Sequence, residues 1–139
     1  MNHVPKLVTQ EGLLANKNIL ITGSGSGIGR AVAKAAAEQD ANLILLSKDI
    51  KKLYSLQDEI CNKGHKEPLV VELDFYKAKE KDYKTLAEKL YDQYERLDGL
   101  AHIAGVLGYL SPIINTSLSQ LKTVMQVNFE SNFLLTQLA

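Results

Sequence analysis

The sequence holds no tryptophan, one cysteine, three prolines and two methionines, and its sixteen basic residues are cancelled by sixteen acidic ones. Each scarcity excludes something. A lone thiol, Cys61, cannot make an internal disulfide, and it has no metal-ligand neighbours at zinc-site spacing. No metal site is expected, and Cys61 reads as a free thiol without a special role. A net charge of zero leaves no field to draw the chain to nucleic acid or to a membrane surface. The opening residues, MNHVPKLVTQEG, lack the apolar core of a signal peptide. No apolar run approaches the roughly 20 residues that a membrane-spanning helix needs. The expectation is a cytoplasmic protein whose partners are small molecules. With 139 residues, 45% of them hydrophobic, the chain can support one core: a single domain or part of one.

What the chain does have is a glycine turn. In Asn18 to Gly29, NILITGSGSGIG, a short apolar run ends at Thr22, and glycines follow at 23, 25, 27 and 29. The alanine-rich stretch RAVAKAAAEQ comes next. Strand, glycine turn and helix in this order are the layout of a dinucleotide-binding crossover. The glycines let the backbone approach a pyrophosphate, and the free amides and dipole of the helix start hold its charge. The strict G-x-G-x-x-G spacing fails, because the third glycine would fall at Arg30 or Ile28. The spacing T-G-x-x-x-G-x-G fits, on Thr22, Gly23, Gly27 and Gly29.

In this spacing the chain resembles the short-chain dehydrogenase/reductase family. The stretches LDGLAHIAGVLG (97–108) and VMQVNFESNFLLTQ (124–137) are similar to a bacterial branch of uncharacterised short-chain oxidoreductases, and the likeness extends over about residues 12–139. It implies an NAD(P)-dependent oxidoreductase passing hydride between a nicotinamide and a carbonyl or alcohol substrate. It also implies that the full-length form is a homodimer or homotetramer.

Strand-like and helix-like segments alternate along the chain. Residues 1–16 read as an arm. Strands are expected at 18–22, 42–47, 69–73 and 99–104; helices at about 28–39, 49–63, 79–95 and from Ser117 to the last residue. Asn42 to Ser47 is a continuous apolar run, as a parallel strand buried on both faces requires. Asp40 follows the first helix where glycine would make the better left-handed stop, whereas Gly64 ends the second cleanly. Ser117 and Gln120 have the spacing of a capping box. Tyr83, Leu86, Ala87, Leu90, Tyr91 and Tyr94 share helical spacing and read as an amphipathic core face. Such strict alternation predicts an α/β fold: a doubly wound parallel sheet (Rossmann fold) with right-handed crossovers and strand order 3-2-1-4. A cofactor would lie across the carboxyl ends of strands 1 and 4, where the winding reverses.

Cofactor contacts are expected from Thr22, Gly23, Ser24, Ser26, Gly27, Ile28 and Gly29 of the turn. Lys48 ends the second strand at the adenosine ribose, where a cation favours the 2′-phosphate of NADP and a carboxylate the 2′-hydroxyl of NAD. The resemblance puts Ser47 at the usual place of an NAD-selecting aspartate. NADP(H) is therefore expected over NAD(H), with Asp49 as the opposing sign unless it caps the second helix. By the resemblance, Asp74 contacts the adenine amino group; it can also cap a turn. Ala104 and Gly105 match the end of the family's Asn-Asn-Ala-Gly element, but His102 and Ile103 replace both asparagines. His102 can replace one of their hydrogen bonds and reads as structural; Ile103 cannot, which puts the bracing of strand four in doubt. Asn128 falls on a stripe with Leu121, Val124 and Met125, and the resemblance makes it the catalytic asparagine that bends its helix and holds a relay water.

The family's Tyr-x-x-x-Lys pair is missing. Tyr54, Tyr76, Tyr83, Tyr91, Tyr94 and Tyr109 are followed four residues on by Asp58, Glu80, Ala87, Glu95, Asp98 and Ile113. The expectation is a single dinucleotide-binding domain over 1–139 that is incomplete at its C-terminus and inactive by itself. A non-catalytic nucleotide-binding module and the remnant of an interrupted gene stand as alternatives. The loop after strand four, Val106 to Ile114, carries no charged anchor, and the substrate is not legible.

Overall fold

A computed structural model describes residues 11–138; most of the expected arm, residues 1–10, and Ala139 lie outside the described residues. Four parallel strands form one sheet: β1 (Asn18–Thr22), β2 (Asn42–Ser47), β3 (Leu69–Glu72) and β4 (Gly99–Ala101), in the order β3-β2-β1-β4. Between them run α1 (Gly27–Ala37), α2 (Ile50–Asn62) and α3 (Glu80–Tyr94). After β4 come α4 (Leu118–Met125), a π-helical turn (Gln126–Glu130) and α5 (Ser131–Leu138).

The central strands are apolar throughout because both faces are covered, and the pleat sends alternate residues to opposite sides. Ile21, Leu43 and Leu45 pack with Ala33, Ala36 and Ala37 of α1 and with Leu53, Leu56 and Ile60 of α2. Leu20, Ile44 and Leu46 face the other way, against Tyr83 and Leu86 of α3 and Val127 and Leu135 of the C-terminal helices. Tyr83 is fully enclosed and stacks on Phe75, and burial pushes its phenol up to about 12. Tyr91 departs from the expected core face: it is 70% exposed, because the packed stripe of α3 runs through Tyr83, Leu86, Leu90 and Tyr94 and leaves Tyr91 to one side.

Local signals end most elements as expected. Asp40 takes the left-handed conformation itself (φ 64°), and Gly64 does so at the end of α2 (φ 83°). Asp49 caps α2 by accepting from Lys52 N at 3.2 Å. Ser117 and Gln120 exchange both bonds of the capping box.

Two elements differ from expectation. β4 spans Gly99–Ala101 rather than 99–104, because Thr22 breaks the ladder: its Oγ1 accepts the Ile103 and Ala104 amides at 3.0 and 3.1 Å. The last helix is not continuous. It opens into the π turn, and side chains take up carbonyls there: Ser131 Oγ donates to Val127 O (2.6 Å) and Asn132 Nδ2 to Asn128 O (2.9 Å).

Candidate functional site

A cleft of about 370 Å³ opens at the carboxyl edge of the sheet. Its floor is the β1–α1 turn; its walls are the exits of β2, β3 and β4.

Packing dictates the shape of the turn. Gly23 has φ 66°, and a Cβ there would stand 2.9 Å from the Ala104 backbone. A Cβ on Gly29 would overlap the Gly23 carbonyl, so α1 can start this close to β1 only without a side chain. Nothing lies within 4 Å of where a Cβ on Gly27 would be, which leaves that backbone open to the cleft. Ser26 precedes α1 in extended conformation and makes no side-chain cap. The first amides of α1 therefore face the cleft without a capping oxygen. A close glycine backbone, uncapped amides and a cation on the facing wall form a donor set suited to a dinucleotide phosphate.

Of the expected contacts, Gly23, Ser26, Gly27, Ile28, Gly29, Lys48, Asp74, Ala104 and Gly105 line this cleft together. Thr22 and Ser24 do not. Both are fully buried, and their hydroxyls are committed to the protein: Thr22 at the β4 exit, Ser24 donating to Leu46 O at 3.4 Å. Their work is to hold the turn, which neither spacing nor residue type reveals.

Lys48 and Asp74 are the cation and the carboxylate lining the cleft among the described residues. Asp74 Oδ1 accepts the Tyr76 amide at 3.0 Å, and Lys77 lies 3.7 Å from Oδ2, so it caps a turn while bordering the cleft. Asp49 does not line the cleft; its carboxylate is engaged by the α2 amide and by Lys52 at 3.5 Å.

Asn128 lies beside the mouth of β4 rather than on an inward stripe. It is exposed, as are Leu121 (52%) and Met125 (44%), while Val127, Ser131 and Leu135 turn inward. A π turn adds a residue to the helical circuit and so rotates the faces, which no regular spacing anticipates. The Asn128 amide pairs with Val106 twice, Oδ1 accepting its N–H and Nδ2 donating to its carbonyl, both at 2.8 Å. Asn128 thus sets the position of the chain just past Gly105.

The feared gap at Ile103 is closed by other groups. Its amide goes to Thr22, and its side chain packs against the α1–α2 core. His102 Nε2 lies 2.8 Å from Thr136 Oγ1, tying the β4 exit to α5. Ser47 and Val106, noted in the sequence but not as contacts, also line the cleft, as do Leu73, Phe75 and Tyr76, which the sequence did not single out. Tyr76 could have been found two positions past Asp74. Gln126 could not: its Nε2 reaches the Phe75 and Tyr76 carbonyls at 2.9 and 3.1 Å across 50 residues of sequence.

No helix among the described residues is long and apolar enough to cross a membrane, and no group of potential metal ligands occurs among them.

Known proteins match this architecture along most of the chain. The profile of the family described as short chain dehydrogenase covers residues 17–139. The Escherichia coli K12 protein named uncharacterized oxidoreductase YciK is 34% identical over 99% of this chain and 53% of its own. A structure described as a short chain dehydrogenase of E. coli CFT073 complexed with NADPH superposes with TM-score 0.89. It shares 35% identity, over 94% of this chain and 54% of that one. The short chain dehydrogenase of Shigella flexneri gives TM-score 0.88 at 33% identity, over 93% and 51%. The chain therefore spans about half the length of the relatives it matches. On the glycine turn, the strand order and these likenesses, the chain belongs to the short chain dehydrogenase family.

Proposed function

We propose that the cleft binds NADP(H), and that the protein carrying this chain is a cytoplasmic NAD(P)-dependent oxidoreductase acting on a carbonyl or alcohol. Bound there, the dinucleotide would supply the hydride; the chain's own residues bind and orient it. The observation that carries this reading is Lys48. It stands on the cleft wall at the exit of β2, and the nearest rival for the ribose, Asp49, is spent on capping α2. An ammonium there favours a 2′-phosphate over a 2′-hydroxyl. The NADPH complex of the E. coli relative supports the same choice.

Gly23, Ser26, Gly27, Ile28 and Gly29 would receive the pyrophosphate, and Ala104 and Gly105 would lie against the cofactor beyond it. Thr22 and Ser24 would support the turn from below. Asp74 would accept from the adenine amino group through the oxygen not held by the Tyr76 amide. Asn128 is assigned to the active site, a role supported by the π turn around it; its side-chain amide is oriented by two hydrogen bonds to the Val106 backbone. The exposed apolar face of α4 and α5 suits a homodimer or homotetramer.

The alternative reading is a nucleotide-binding module without catalysis. One comparison separates the two. The protein carrying this chain should bind NADPH at least about tenfold more tightly than NADH, a gap Lys48→Ser should erase. It should also oxidise NADPH with some member of a ketone and aldehyde panel. Tight binding with no turnover across the panel would leave the module. Equal affinity for the two cofactors would end the NADP assignment.

A further inference from the structure

At the adenosine end of the cleft two of its side chains already touch. The Lys48 ammonium lies over the Tyr76 ring, 5.0 Å from its centroid. Tyr76 is the exposed aromatic of the cleft lining (39%), whereas its neighbour Phe75 is buried in the core. Its backbone is fixed from both sides. Asp74 Oδ1 accepts its N–H at 3.0 Å, and Gln126 Nε2 donates to its carbonyl at 3.1 Å and to that of Phe75 at 2.9 Å. A half-exposed ring on so constrained a backbone is a ready flat surface, and a purine is the flat part of the ligand assigned to this cleft.

The cation and a base cannot share that face. A base stacked between ring and ammonium needs two contacts of about 3.5 Å, roughly 7 Å in all, and the ammonium stands at 5.0 Å. Lys48 must leave the ring before a base can stack there. Leaving forfeits a cation–π contact, and a 2′-phosphate offers the ammonium a stronger partner. A 2′-hydroxyl offers no such exchange.

We propose that Tyr76 is the adenine platform of this cleft, and that Lys48 covers it until a 2′-phosphate draws the ammonium away. The inference rests on the nucleotide-binding reading above. Cofactor choice is then made twice by one side chain. Lys48 attracts the phosphate, and it obstructs the base of any nucleotide that lacks one.

Calorimetric titration of the protein carrying this chain with 2′,5′-ADP and with 5′-AMP tests it. Tyr76→Ala should weaken both ligands by at least about fivefold, the low end for a base stacked on an aromatic ring. Tyr76→Phe should stay within about twofold of wild type, because the platform needs the ring and not the hydroxyl. Lys48→Ala should weaken 2′,5′-ADP yet tighten 5′-AMP by about two- to fivefold, since the cover is gone. Unchanged thermal melts would show that the half-exposed Tyr76 site has not unfolded. If Tyr76→Ala binds both ligands as wild type does, or Lys48→Ala weakens them equally, the platform and its cover are wrong while nucleotide binding stands. Wild-type protein that binds neither ligand would remove the cleft reading and this inference together.

Discussion

The sheet has two unlike sides. From β1 to β3, Ile21, Ile44, Leu45, Leu53 and Leu56 are completely enclosed, and helices cover both faces. Past β4, Leu110, Ile113 and Ile114 are 85–89% exposed, and Phe129 and Phe133 remain more than half exposed. The first side is closed on one face by α1 and α2 and on the other by α3 with Val127 and Leu135 of the C-terminal helices. The second carries a polar framework (Thr22, His102, Asn128, Ser131) beneath an apolar surface that the described residues leave uncovered. The glycine turn is held from both sides: Ser24 donates to Leu46 O on the closed side, while Gly23 abuts Ala104 and Thr22 accepts the amides of the β4 exit.

Truncations on the two sides break this comparison most sharply. Leu53→Ala should cost about 2–5 kcal/mol, the range for emptying an enclosed aliphatic site. Ile113→Ala should stay within about 0.5 kcal/mol in the isolated chain. Denaturant titration measures both. A large loss from Ile113→Ala would mean that the open side is packed against something in solution.

The seam between the sides comes next. Thr22 Oγ1 takes two amides of the β4 exit inside a fully buried site. Thr22→Val keeps the shape but strands both donors, for an expected loss of about 1–3 kcal/mol; Thr22→Ser should recover most of it. Equal stability of the valine and serine variants would show that the exit is held without the hydroxyl.

The smallest effect is a pH dependence. Partial burial pushes the His102 imidazole below its usual range, although the neighbouring Asn132 amide favours the charged ring. The unfolded chain then binds the proton more readily than the folded one. His102 thus contributes stability above the unfolded value of about 6.5 that is lost as pH falls toward the lower folded value. Thermal melts across that window should be flatter for His102→Gln. An unchanged slope would place the titration elsewhere.

Much of this was readable in order along the chain. Thr22 and the glycines announced the turn, the apolar run at 42–47 a strand buried on both faces, and Asp49, Gly64 and Ser117 the helix ends. These are local rules, in which a residue's effect falls within a few positions of itself. The strand order followed because alternating strands and helices leave few ways to cover both faces of a sheet. Nothing local revealed that Thr22 would be consumed by β4, that Asn128 would hold Val106 rather than face a core, or that Gln126 would brace Tyr76. Those roles arise between residues 22 to 82 positions apart. Periodicity assumes a regular helix, and the π turn at Gln126–Glu130 is where that assumption fails. Pattern along the chain was enough for most of the elements, their order and the glycine turn. Which polar groups are left free to meet a ligand depended on the folded packing, because a side chain's partner is whatever the fold brings within about 3 Å of it.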